Sequence, residues 1–380
     1  MLGQQEKKTE NGIVQPDKAA AISPDTSLQL SLIKFISCIA VIYIHAYTPQ
    51  YEYFSRLFNA MPSVNLAATL ISQYLARIAV PAFFCVSGYI YFAKQYEIKF
   101  WTFAARKGKS ILLPFLLWNT LTIGYIFLLQ LIPVIRNIFP ADKIIVNFSA
   151  AQWLNAYVGI GKNWYPFLYP LWFLPYLFMA FMTVHLFRKY IHRHEWIIWI
   201  VIMLNLICSA YVPLALKLSD HRALLLLLYA LAYFSFGKLF LKYKKVLESL
   251  KVSMLAGVIF IAGIILDFHY PASPVKWVVL SHYSGLLFIF SATGRVVICS
   301  EKIQKTILFL AKYTFLIYLC HEFALTALQA LIYPILPFCT AIVSAVYILL
   351  PLGLASVLIL NGWLLQKLFP KVYNFLFDWH

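Results

Sequence analysis

The sequence predicts an all-α fold: a polytopic integral membrane bundle of about ten transmembrane helices with both termini in the cytoplasm. Three observations carry this expectation. First, 62% of the 380 residues are hydrophobic and only 12% are charged, with a mean hydropathy of +0.77. That leaves too little polar surface for a soluble domain of this length. Second, apolar stretches recur from Leu28 to Leu368, and each is near the length of about 20 residues that a bilayer crossing requires. Third, the basic residues between these stretches are lopsided. Twenty-one fall in segments that alternate onto the side of the N-terminus, against seven on the other side: Arg56, Arg136, Lys143, Lys162, Lys217, Arg222 and Lys276. The side rich in Lys and Arg is the cytoplasmic one.

In chain order, the apolar runs place spans at 29–48, 66–93, 110–135, 166–187, 195–216, 222–241, 252–270, 276–294, 306–333 and 338–366. Residues 1–27 are polar, carry charges of both signs and lack a secretory signal's apolar core, so they read as a disordered cytoplasmic tail. Residues 28–369 form the membrane domain and 370–380 a short cytoplasmic C-terminal tail. The longest connection, 136–165, holds Trp153, Tyr157, Trp164 and Tyr165, aromatics suited to a membrane interface.

The net charge of +17 does not point to nucleic acid, because the cations lie between spans rather than along one soluble face; membrane lipid is the expected partner. Cys38, Cys85, Cys208, Cys299, Cys320 and Cys339 form no close CxxC pair, so neither a disulfide framework nor a metal site is expected.

Lys34, His45, Arg77, Lys312 and His321 fall inside spans. Polar groups at such depth are costly and mark cavities. Lys34 and His45 are eleven residues apart, which is three helical turns plus about 20°, so they share a face with an axial separation of about 16 Å. One elongated anionic ligand threaded from the cytoplasm spans both. A plainer reading has Lys34 snorkelling to the inner headgroups and His45 anchoring at the outer interface. Arg77 cannot deprotonate and needs an anionic or carbonyl partner. Just beyond it, Pro81 and Gly88 loosen the helix, and Ser87 is placed to satisfy freed backbone groups. His321 is followed by Glu322, a carboxylate that can tune an imidazole, although neighbours diverge on a helix.

Six elements in order make the chain resemble the bacterial membrane-bound acyltransferases of type 3. Lys34 to His45 stands where that family has an arginine, ten residues and a histidine. Val80-Pro-Ala-Phe-Phe-Cys-Val-Ser-Gly88 is similar to its second-helix signature, and Arg106-Lys-Gly-Lys109 followed by Pro114 to its basic loop. Leu171-Trp-Phe-Leu174, Tyr233-Phe-Ser-Phe-Gly237 and Tyr313-Thr-Phe-Leu-Ile-Tyr-Leu-Cys-His321 resemble its later elements. Lys34 and Lys109 replace family arginines, which keeps the charge but loses the planar fork.

The resemblance implies an O-acyltransferase of the bacterial cytoplasmic membrane. It would move acetyl from acetyl-CoA, or another acyl group from its acyl-CoA, to a hydroxyl of a cell-surface or lipid-linked glycan, without a metal. Lys34, Arg106, Lys107 and Lys109 are then expected to hold the donor phosphates. His45 is the general base, or carries the acyl group covalently. Arg77 stabilises the oxyanion or positions the acceptor, and His321 assists. Ser87, Trp172 and Glu322 are candidate acceptor contacts. The rival readings are a transporter or flippase of a lipid-linked sugar, for which buried cations also suit, and a non-catalytic membrane sensor or assembly partner descended from an enzyme. The sequence is equally compatible with a monomer and a homo-oligomer.

Overall fold

A computed structural model describes residues 22–94, 97–136, 144–158, 166–211, 222–297 and 300–378. The tail up to residue 21, Trp164, Tyr165, Cys299, Lys143, Lys162 and Lys217 lie outside the described residues. Ten helices follow the ten expected spans: α1 Pro24–Ala46, α2 Pro62–Lys94, α3 Phe100–Gln130, α4 Tyr169–Leu186, α5 Trp196–Ala210, α6 Arg222–Lys242, α7 Leu250–His269, α8 Val278–Val297, α9 Thr314–Ile335 and α10 Thr340–Leu368. Eight are long and apolar enough to cross a membrane. The other two are α5, with 15 residues, and α8, whose 20 residues include His282 and Arg295. The protein is an all-α, multi-pass membrane bundle.

The expected span 306–333 divides at Tyr313. Glu301–Lys312 is a separate amphipathic helix, capped by Ser300, whose hydroxyl accepts from the Ile303 N–H at 3.3 Å. Its charged side chains are exposed while Ile307 is buried, and Glu301 pairs with Lys305 at 2.7 Å. Lys312 therefore ends a surface helix instead of lying mid-span. The helix α1 starts at Pro24, inside the expected tail, with Ser23 as its cap. The C-terminal segment also contains a helix, Pro370–Phe377, that packs back on the bundle. There the Tyr373 hydroxyl donates to the Lys312 carbonyl at 3.4 Å, and Trp118 Nε1 donates to the Leu376 carbonyl at 3.0 Å.

Small residues set the tightest packing. A Cβ added to Gly88 would lie 1.8 Å from the Phe234 carbonyl oxygen, and one on Gly237 would lie 2.3 Å from that of Cys85. Only a glycine on each side lets α2 and α6 approach this closely. Helix α1 runs along the bundle centre, touching α2, α8, α9 and α10, with Ile33, Cys38 and Ile42 buried.

Two spans contain π turns, and each has a proline further along the same span. A wide π turn, Leu70–Leu75, and a 3₁₀ turn, Ala76–Ile78, precede Pro81 in α2; a second π turn, Gly108–Leu112, precedes Pro114 in α3. Proline has no N–H for the carbonyl four residues back and crowds it sterically, so the turn before it opens. Arg77 lies on the first irregular stretch and Lys107 directly before the second. Such turns re-aim side chains and recur at functional sites.

Candidate functional site: two cavities sharing an aromatic partition

The Lys34 end of the bundle is called inner below and the His45 end outer. The inner cavity holds about 480 Å³ and is lined by Lys34, Ser87, Lys107 and Lys312, among apolar side chains from α2, α3, α4 and α9 and the C-terminal helix. Among its lining residues the only carboxylate is Asp378. The outer cavity, about 310 Å³, is lined by His45, Gln73, Arg77, Tyr169, Trp172, Tyr229 and His282, and no acidic residue is among its lining residues. Phe83, Phe173 and Tyr318 line both cavities. Their ring centroids stand 5.8 Å apart for Phe83–Phe173 and 6.4 Å for each pair with Tyr318. These three rings form the partition shared by the two chambers, called the neck below, and the Tyr318 hydroxyl is tied to the Pro170 carbonyl.

The last turn of α1 has carbonyls with no helical partner. Ser72 donates to that of Tyr43, and Gln329 Nε2 donates to that of Ala46 at 2.8 Å. These two bonds fix the turn that carries His45. The His45 ring faces Tyr169 edge-on at 5.8 Å and lies 5.1 Å from the ring of His321. His321 is fully buried. Its Nδ1 lies 2.8 Å from the Tyr318 carbonyl and 3.1 Å from that of Ile317. A carbonyl only accepts, so Nδ1 carries the proton and Nε2 the lone pair. That Nε2 is buried and has no partner among the described residues. His321 thus presents a fixed acceptor beside an imidazole in the cavity wall.

Arg77 is exposed, and its guanidinium donates to the Gln73 side-chain carbonyl. Among the described residues it pairs with no carboxylate. On α8, His282 Nδ1 lies 3.4 Å from the Tyr233 hydroxyl, and its buried Nε2 has no partner among the described residues. His185 gives the contrast: one ring nitrogen meets the Tyr91 hydroxyl at 3.0 Å, the other the Ile98 carbonyl at 3.1 Å, and the ring stacks on Phe103 at 3.9 Å. That histidine is a satisfied structural group.

Of the expected donor contacts, Lys34 and Lys107 line the inner cavity, whereas Arg106 and Lys109 are exposed and absent from its wall. Neighbouring helical positions diverge by about 100°, so only part of this basic run faces inward. Lys107 Nζ sits 4.1 Å from the Phe181 ring centroid, a cation–π contact that aims it. Ser87, expected at the acceptor, lines the inner cavity instead, because it lies ten residues below Arg77, about 15 Å along the helix. Trp172 lines the outer cavity, and Glu322 lines neither.

The family model described as an acyltransferase domain, that of acyltransferase 3, matches residues 28–362. The chain belongs to the acyltransferase 3 family. Within that family it is similar to the succinoglycan biosynthesis protein ExoH of Rhizobium meliloti (strain 1021), with 23% identity over 192 residues. The match spans 50% of this chain and 49% of that protein, so it covers about half of each. No solved structure matches. Both cavities of this acyltransferase 3 protein lie almost wholly within the matched region; the C-terminal helix at the floor of the inner one lies beyond it.

Sequence reasoning missed His282, Gln73 and Tyr229 as parts of the site. The signal that singled out Arg77 also marked His282, a polar residue inside an expected span. The other two are residue types that interfaces and packing use as freely as sites do.

Proposed function

We propose that the protein transfers an acyl group, acetyl from cytoplasmic acetyl-CoA, across the bacterial cytoplasmic membrane to a hydroxyl of a cell-surface or lipid-linked glycan. One observation supports this above the rest: a lysine-walled inner chamber and an imidazole-bearing outer chamber share the three rings Phe83, Phe173 and Tyr318 in their walls. The donor's phosphates suit Lys34, Lys107 and Lys312. Its slender pantetheine arm suits the apolar passage past Phe83 and Phe173, which brings the thioester towards His45. The acceptor suits the outer chamber, where Trp172 and Tyr169 offer faces for a sugar.

In the reaction, His45 takes the proton of the acceptor hydroxyl as its oxygen attacks the thioester carbonyl. As the proton arrives, the His45 ring, 5.1 Å from that of His321 by centroid, turns its second N–H onto the lone pair of His321 Nε2, which stabilises the imidazolium formed. Collapse breaks the carbon–sulfur bond, the ester forms, and His45 returns the proton to the departing thiolate. The test is a purified, reconstituted protein given CoA carrying a radiolabelled acetyl group together with glycan from its host. Label in the glycan supports the proposal. Glycan movement without label would favour the transporter reading instead.

A further inference from the structure

The donors of the outer cavity outnumber what the protein gives them to bind. Arg77 has five N–H groups and one described acceptor, the Gln73 side chain. His282 Nδ1 lies 3.4 Å from the Tyr233 hydroxyl, which donates or accepts according to the tautomer, and its buried Nε2 has no hydrogen-bond partner among the described residues. The Tyr229 hydroxyl, in the same wall, has no hydrogen bond among the described residues. Asp267 of α7, which is not among the lining residues, accepts the backbone N–H groups of Trp277 and Val278 at 2.6 and 2.7 Å and so caps the helix carrying His282. The arrangement is built closely, since a Cβ on Gly285 would lie 2.5 Å from Ile78 Cδ1. That glycine lies one turn from His282 and packs on the turn that holds Arg77. Three helices, α2, α6 and α8, therefore converge on an acid-free, donor-rich corner of the chamber that contains His45.

A guanidinium in a cavity wall that pairs with no carboxylate among the described residues, beside a buried imidazole nitrogen with no described partner, marks a place for an anionic ligand group. A planar fork plus one or two neutral donors matches the two oxygens of a carboxylate. We propose that Arg77, His282 and Tyr229 form a carboxylate subsite, so that one of the two substrates meeting at His45 bears a free carboxylate away from its reacting atom. This deepens the acyl-transfer reading and rests on it. The carboxylate belongs either to an acidic sugar of the acceptor or to the far end of a dicarboxylic acyl group.

Matched probes separate these sources on the purified, detergent-solubilised full chain, read by thermal melting. Glucuronate is compared with glucose, and succinyl-CoA with butyryl-CoA, on the wild type, Arg77→Gln and His282→Asn. A higher Tm with glucuronate than with glucose, lost in both variants, assigns the carboxylate to the acceptor. A higher Tm with succinyl-CoA than with butyryl-CoA, lost in both variants, assigns it to the acyl group. The subsite is overturned if neither pair is discriminated, if discrimination survives both substitutions, or if inorganic phosphate gives the same variant-sensitive shift as the carboxylates. Variants must first show the wild-type elution profile; if both fail, Arg77→Lys and Tyr229→Phe replace them, with at least a threefold weaker preference for the charged probe expected. Label transfer abolished by His45→Ala while these preferences are absent would sink the subsite alone. Preferences present without any label transfer would sink the acyl-transfer reading alone.

Discussion

Two histidines 5.1 Å apart by ring centroid differ in what they can do. The proton of His321 is pinned by backbone carbonyls, so its open nitrogen only accepts, while His45 lines the cavity where a hydroxyl can approach. Substituting His45→Ala is expected to lower turnover by about 10²–10⁴-fold without changing the elution profile in detergent. Substituting His321→Phe keeps a ring but removes the acceptor. We expect a smaller fall in kcat, about tenfold to a hundredfold, with donor KM little changed, as steady-state kinetics with both variants will check. At this scale the sequence was half legible. The Lys34–His45 spacing and the in-span Arg77 were readable because helical geometry and depth constrain them. The closeness of His321 to His45 was not, because nothing along one chain states which faces of α1 and α9 meet.

Among the elements, irregular turns stand beside Arg77 and Lys107, two of the cations in the cavity walls. Each lies just ahead of a proline, and prolines are plain in the sequence, but the direction in which an opened turn rotates its side chains depends on the packing around it. The basic run Arg106–Lys109 shows the consequence: its charge was evident, and only Lys107 reaches the inner cavity. Substituting Lys107→Ala or Lys34→Ala should therefore raise donor KM several-fold, whereas Arg106→Ala should leave it within twofold; a donor titration on the three variants decides. The α2–α6 contact makes a separate prediction. Gly237→Ala places a methyl group against the Cys85 carbonyl and the Tyr89 N–H, and forced overpacking costs about 1–3 kcal/mol or more. A lower Tm than wild type is expected by fluorescence-detected melting, and an unchanged Tm would refute the close approach.

For the whole molecule, the ten-helix architecture was almost fully legible, because hydrocarbon forces every backbone polar group into a helix and the apolar lengths reveal themselves. The misplacement was at Tyr313, where residues 306–312, the second half of the surface helix Glu301–Lys312, were joined to α9 because apolar residues continue through the break. The two-chamber interior was not legible, since a neck built by Phe83, Phe173 and Tyr318 uses residues that look like ordinary core. The claim that depends on this interior is that an acyl group crosses from the lysine side to the imidazole side within one chain. Mass spectrometry of surface glycans tests it most directly, comparing cells that make the wild-type protein with cells that make equal amounts of His45→Ala. The account predicts an acyl mass on the glycan that is present with the wild type and absent with the variant. The same acyl mass at the same level in both would contradict it.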